Sequence, residues 1–261
     1  MPFTIDLSGK TVVITGISSG IGAGIAKMYA KANANIAGCG QRPPDDEKVE
    51  KFRQTVHEES GKMPLYYQAD VTKIDQLDSF VNATVREFGG IDILASNAGT
   101  NIFRGAATCT REDWLRNMNL NLESHWNIAK LCKPHLEKNN GVIIINSSSH
   151  SHNTIPGSFP YNIAKTALTA LIQSFTVEWG PKIRALGVAP GFIDTHLADD
   201  WFATFPDPAK ERENTEKLHP LNRIGTPEEI GGWFVFLSSE YAAFAGGQTY
   251  LIDGGRSCLM M

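Results

Sequence analysis

Thr11-Val12-Val13-Ile14-Thr15-Gly16-Ile17-Ser18-Ser19-Gly20-Ile21-Gly22 decides how the chain folds. Its first five residues are apolar or β-branched, the composition of a short buried strand. Glycines follow at once, and beyond them Ile21, Ile25, Met28 and Tyr29 recur at helical spacing. The stretch reads as strand, tight turn and helix. Glycine lets a backbone turn sharply and approach a ligand closely. The start of a helix presents unpaired N–H groups and the positive end of its dipole, which suits a pyrophosphate. The spacing is G-x-x-x-G-x-G rather than the G-x-G-x-x-G dinucleotide fingerprint, and a tight turn without a ligand would also use these glycines.

The alternation continues along the chain. Asn35 to Gly40, Leu65 to Asp70, Ile91 to Ala95, Gly141 to Ile145, Ile183 to Val188 and Gln248 to Ile252 are further strand candidates. Helical stretches separate them. Asp45 to Ser60 is one; another is capped by Thr72, presents Ile74, Leu77, Phe80, Val81 and Val85 as its apolar face, and ends at Gly89-Gly90. Arg111 to Glu137 and Tyr161 to Trp179 are longer, with Pro160 suited to the start of the second. Thr226-Pro227-Glu228-Glu229 opens one more. Strands alternating with helices predict an α/β fold, a single-domain Rossmann-type doubly wound parallel sheet of about seven strands with helices on both faces. Ligands in such sheets bind at the carboxyl ends of the strands, where Gly16, Asp70 and Asn97 all stand. No repeat, low-complexity tract or linker divides the 261 residues.

Forty-two per cent apolar and 20% charged residues make an ordinary globular composition. A formal net charge of −4 with no basic run argues against a nucleic-acid surface. No apolar run approaches the ~18 residues of a membrane span, and Met1 to Lys10 lacks the basic and apolar regions of a signal peptide. Cys39, Cys109, Cys132 and Cys258 are scattered without ligand spacing, so no metal is assigned and free thiols in a cytoplasmic setting are expected.

Tyr161 and Lys165 stand four residues apart, one turn along the same helix face. A nearby ammonium favours a phenolate, and lowering the tyrosine pKa by ~2–3 units would suit it to acid/base chemistry at neutral pH. An exposed pair with no chemistry has the same spacing. At the end of the second strand, Gly40 and Gln41 are not acidic and Arg42 is basic. An acid there would bind a ribose 2′-hydroxyl; its absence leans mildly towards NADP(H) over NAD(H). Asp45, Asp46 and Glu47 lie close by, and Arg42 as a solvated loop charge is an equal reading.

Together, Thr15-Gly16-x-x-x-Gly20-x-Gly22, Asp70-Val71, Ser96-Asn97-Ala98-Gly99, Tyr161-x-x-x-Lys165 and Pro190-Gly191 fall in the order and at the spacing of the classical short-chain dehydrogenases/reductases. The chain resembles that family over nearly its whole length. The resemblance implies an NAD(P)-dependent oxidoreductase that interconverts a secondary alcohol and a ketone, or reduces an aldehyde. It makes Tyr161 the acid/base, assisted by Lys165. It selects Ser148 from three consecutive serines, because the family's serine stands thirteen residues before the tyrosine. An asparagine seven residues after a helical tryptophan joins the family's site and holds a helix distortion; Trp114 then gives Asn121, ahead of the competing register at Asn119.

The cofactor contacts implied in the same way begin with Gly16, Ser18, Ser19, Gly20, Ile21 and Gly22 in the turn. Gln41 and Arg42 follow the second strand, and Asp70, Val71, Asn97, Ala98 and Gly99 close the next two. Pro190, Gly191, Ile193 and Thr195 complete the set with Tyr161 and Lys165. Leu186 departs from the asparagine that many relatives carry. Residues 195–222, with Trp201, Phe202 and Phe205, correspond to the family's substrate lid. Pairing of the helices that carry Asn121 and Tyr161 implies a homodimer or homotetramer, with the apolar tail from Cys258 to Met261 packed on a neighbouring subunit.

His150-Ser151-His152-Asn153 is polar where many relatives carry small apolar residues. Ser148, His150, Asn153 and Tyr161 are therefore the substrate-facing candidates, and a small sugar or polyol is favoured. A solvent or subunit-contact role for the histidines stays open. Other readings are a 3-oxoacyl-thioester or hydroxysteroid-type reductase at the same site, and a catalytically silent NAD(P)-binding sensor. Retention of Ser148, Tyr161 and Lys165 argues against the sensor. The expected partner is a small alcohol or carbonyl compound, with no nucleic acid and no membrane.

Overall fold

Seven apolar runs pair into one parallel sheet: β1 (Thr11–Thr15), β2 (Asn35–Gly40), β3 (Leu65–Gln68), β4 (Ile93–Ser96), β5 (Val142–Asn146), β6 (Arg184–Pro190) and β7 (Thr249–Ile252). The computed structural model describes residues 4–259; Met260 and Met261, the end of the apolar tail, lie outside the described residues. The strand order is β3-β2-β1-β4-β5-β6-β7. The connections are α1 (Gly20–Lys31), α2 (Glu47–Ser60), α3 (Ile74–Phe88), α4 (Arg111–Met118), α5 (Ser124–Asn139), α6 (Tyr161–Trp179), α7 (His196–Phe202), α8 (Pro208–Lys217) and α9 (Pro227–Ser238). Strand order reverses between β1 and β4, the switch point at which such sheets bind ligands. The Gly16 turn and the Asn97 loop leave the sheet side by side there.

The period of two along each strand divides the core between the two faces. Val12, Ile14, Ile36, Ile144 and Leu186 pack with α1 and α9, whereas Val13, Leu94, Ile143, Ile145 and Ala185 pack with α3, α5 and α6. Leu186 is fully buried opposite Ile144, so its departure from asparagine places an apolar contact in this core. Helices α1 and α9 touch backbone to backbone: a Cβ on Gly24 would stand 2.4 Å from the Pro227 carbonyl carbon. Among the described residues, no helix is long and apolar enough to cross a membrane.

Several local expectations change. The helix expected over Arg111 to Glu137 is interrupted by a π-helical turn at Asn119–Glu123, between α4 and α5. Such turns are associated with functional sites. Thr72 does not cap α3; Lys73 holds that position without a side-chain bond. The Asp70 carboxylate takes Thr72 instead, accepting from its N–H at 2.9 Å and its hydroxyl at 2.8 Å. Ile74, the first residue of α3, is exposed rather than part of its buried face, whereas α6 begins at Tyr161 with Pro160 just ahead of it, as expected. Thr226 does cap α9, within a reciprocal capping box with Glu229.

Candidate active site

A cleft of about 1710 Å³ opens over the carboxyl ends of the strands. That exceeds the ~300–1,000 Å³ of a pocket for one small ligand. Gly16, Ser18, Ser19, Gly20, Ile21 and Gly22 line one part of it. A Cβ on Gly22 would stand 2.0 Å from the Gly16 carbonyl oxygen, so only glycine lets turn and helix meet this closely. Ser19 makes no side-chain cap on α1, and the first turn carries no acid. Its N–H groups are therefore left for an incoming anion.

Asn97 holds the neighbouring strand ends together. Its Nδ2 donates to the Thr15 carbonyl at 3.0 Å and the Gly16 carbonyl at 3.2 Å, while its Oδ1 accepts from Asn146 Nδ2 at 2.8 Å. Ala98 and Gly99 also line the cleft, as do Pro190, Gly191, Ile193 and Thr195, with Thr195 beside Gly20 of the turn. Gln41, Arg42, Asp70 and Val71 line the cleft where β2 and β3 end. Burial works to raise the Asp70 carboxyl, but hydrogen bonds from Thr72 outweigh it and hold the group below its ordinary value. Arg42 is not a free charge: its Nη1 donates to Asp46 Oδ2 at 3.0 Å, at the N-cap of α2.

At the substrate side, Ser148, Tyr161 and Lys165 are all buried and line the same cleft. Lys165 Nζ lies 5.7 Å from the centre of the Tyr161 ring and donates to the Asn146 carbonyl at 2.9 Å. The expectation that Lys165 lowers the Tyr161 pKa is not met by this pair alone. Burial pushes the phenol up to about 12, with the Ser148 hydroxyl pulling against it. Burial also pushes Lys165 down to about 7. Loss of solvation thus dominates for both groups.

Asn121 is fully buried behind this group, at the centre of the π turn. Its Nδ2 donates to the Thr100 carbonyl at 3.0 Å and to Asn117 Oδ1 at 2.9 Å, and its Oδ1 accepts from Thr100 N–H at 3.1 Å. Ser147 and Ser149 line the cleft beside Ser148, and the Ser147 hydroxyl donates to the Lys165 carbonyl at 2.9 Å. His150 and Asn153 both line the cleft, whereas His152 is exposed, its Nδ1 2.9 Å from Ser151 Oγ.

Four residues that sequence reading missed complete the site. Phe103 meets the Tyr161 ring edge-on at 5.3 Å, as His150 does at 5.8 Å from another side. Asn117 donates to the Pro160 carbonyl at 3.0 Å and so ties the Asn121 turn to the start of α6. Arg256 and Ser257 reach the cleft from the far end of the chain. The tail therefore lines its own cleft as far as Leu259. Phe103 had one usable signal, a position in the loop just beyond a strand's carboxyl end.

The family model described as enoyl-(acyl carrier protein) reductase matches residues 16–257. The chain is 33% identical over 255 residues to 3beta-hydroxysteroid dehydrogenase 1 of Eggerthella lenta, covering 97% of this chain and 95% of that protein. It is 32% identical over 258 residues to a protein of Yarrowia lipolytica named as a probable NADP-dependent mannitol dehydrogenase, covering 97% and 89%. Among solved structures, L-sorbose reductase from Gluconobacter frateurii, complexed with NADPH and L-sorbose, superposes with a TM-score of 0.91 at 29% identity, covering 99% of this chain and 100% of that one.

Proposed function

The chain belongs to the short-chain dehydrogenase/reductase family, and on that premise we propose that Tyr161, Ser148 and Lys165 interconvert a small polyhydroxylated alcohol and its carbonyl form with NADP(H). The reaction class is that of an NAD(P)-dependent oxidoreductase acting on CH–OH groups. One observation carries the residue roles: three buried polar side chains meet at one part of a cleft whose other part is the uncapped, glycine-walled start of α1.

That start of α1 fits a dinucleotide pyrophosphate, with Gly16, Ser18, Ser19, Gly20, Ile21 and Gly22 around it. The nicotinamide, when bound, supplies or accepts the hydride. Tyr161 Oη gives a proton to the carbonyl oxygen in reduction and takes one from the alcohol in oxidation. Ser148 holds that oxygen by a hydrogen bond. Lys165, anchored on Asn146, offers its amine to the nicotinamide ribose, and Asn121 keeps the proton path behind it open.

Gly40, Gln41 and Arg42 favour NADP(H), in keeping with the cofactors named for the Yarrowia and Gluconobacter proteins. The polar His150 and Asn153 in the cleft favour a sugar or polyol. Residues 195–222 serve as a lid on the single domain, held by Arg212, which pairs with Asp194, Asp199 and Glu216. Exposed Trp126 on α5 and Ile163 on α6 favour pairing of those helices in a homodimer or homotetramer. A reducing cytoplasm suits the four free thiols.

The test is a panel of sugars, polyols, hydroxysteroids and 3-oxoacyl thioesters, run with NADH and NADPH in parallel. Turnover is expected on polyols or ketoses with NADPH ahead. Clear preference for a steroid or thioester, or for NADH, would overturn the corresponding part of the proposal.

A further inference from the structure

The Asp253-Gly254-Gly255 turn after β7 sets Arg256 at the substrate side of the cleft. Asp253 is buried, and its carboxylate accepts from Gly255 N–H at 3.0 Å and Ser257 N–H at 2.8 Å. The turn is thereby fixed from inside. Gly255 adopts φ 82°, a conformation that places Arg256 at the start of a short 3₁₀ turn. Across the cleft wall, Asn153 Nδ2 donates to the Ser257 carbonyl at 3.3 Å, joining the turn to the polar segment that follows Ser148. His150, which flanks the Tyr161 ring, belongs to the same wall.

Among the described residues, the half-buried guanidinium of Arg256 makes no ion pair and donates no hydrogen bond. The acids that share the cleft, Asp70, Glu112 and Glu211, do not pair with it. This differs from Arg42 and Arg212, which are held by acids of their own chain. The Arg256 guanidinium lies near enough to His150 to disfavour its protonation, an effect secondary to burial. The imidazole therefore stays neutral at neutral pH and does not compete for an anion. An unpaired guanidinium carried on a fixed turn is suited to bidentate recognition of a carboxylate.

We propose that Arg256 binds a carboxylate carried by the substrate, so that the preferred polyhydroxylated compound is a hydroxy acid and its oxo acid rather than a neutral sugar. This rests on the dehydrogenase reading of the Tyr161 site and narrows its substrate class. Asn153 and His150 remain available for hydroxyl groups along the chain of such an acid.

The experiment compares hydroxy acids of four to six carbons with the polyols of the same chain, gluconate against sorbitol among them, each with NADP⁺ and wild-type enzyme. The acids are expected to give the higher kcat/KM. In Arg256→Gln the acid-to-polyol ratio of kcat/KM should fall by roughly tenfold to a hundredfold, the range of a charged hydrogen bond. Arg256→Lys should restore part of it. An unchanged ratio in Arg256→Gln, or polyols ahead of every acid in the wild type, would overturn the proposal. A loss read instead as a raised KM for NADP⁺ would reassign Arg256 to the cofactor. Absence of turnover on acids and polyols alike, with NADPH still bound, would defeat the polyhydroxylated-substrate reading on which the proposal rests.

Discussion

Lys165 Nζ donates to the backbone carbonyl of Asn146 at 2.9 Å, so the lysine beside Tyr161 is anchored to the end of β5 before any ligand arrives. The anchor fixes the position of a group that burial opposes: the folded chain lowers the lysine from 10.5 to about 7. Between those values the unfolded chain binds the extra proton, so this residue makes stability rise with pH across that window. Below about pH 7 the lysine is charged in both states, and the fold carries the full cost of burying it.

Lys165→Met should therefore stabilise the ligand-free protein while abolishing turnover. The gain is expected to be on the order of a few kcal/mol, about 5–10 °C in Tm, at pH 6, and to shrink towards pH 10. Thermal melts of variant and wild type across that range check it. A gain that grows with pH would show that the lysine is not held near neutrality.

Gly99 stands where Asn121 and Lys165 approach each other. A Cβ there would lie 2.7 Å from Asn121 Oδ1 and 3.6 Å from Lys165 Nζ. Gly99→Ala should displace Asn121 from its Thr100 hydrogen bonds, costing roughly 1–3 kcal/mol of stability as overpacking does. It should also lower kcat more than it raises the KM for cofactor. A melt and steady-state kinetics on one preparation test both parts.

Arg42 shares its guanidinium with Asp46. If it also meets a 2′-phosphate, Arg42→Ala should lower the NADPH-to-NADH ratio of kcat/KM by about tenfold, the worth of one charge-assisted contact. Asp46→Asn should raise the ratio by releasing the arginine. An unchanged ratio in both variants would leave Arg42 as a helix-cap partner alone.

The parallel sheet was legible because its inner strands, β1, β4 and β5 above all, are buried throughout and read as continuous apolar runs. The glycine turn was legible because close approach and left-handed backbone demand one residue type. Thr72 was misread because its hydroxyl can either accept from a helix N–H or donate to an acid, and only the fold shows that it donates to the Asp70 carboxylate. Asn121 could be separated from Asn119 only through the resemblance, since local sequence does not reveal which side a π turn buries. Phe103 and Arg256 escaped notice for a different reason: Phe103 meets His150 and Tyr161, and the Arg256 charge acts on His150, only after long stretches of chain are folded together.

If Tyr161 moves the proton while other residues hold the cofactor, Tyr161→Phe separates the two functions. NADPH should bind the variant within about threefold of wild type, with kcat lowered by roughly 10²–10⁴, the contribution of a positioned acid/base. Turnover near the wild-type rate in Tyr161→Phe, with NADPH bound normally, would contradict it.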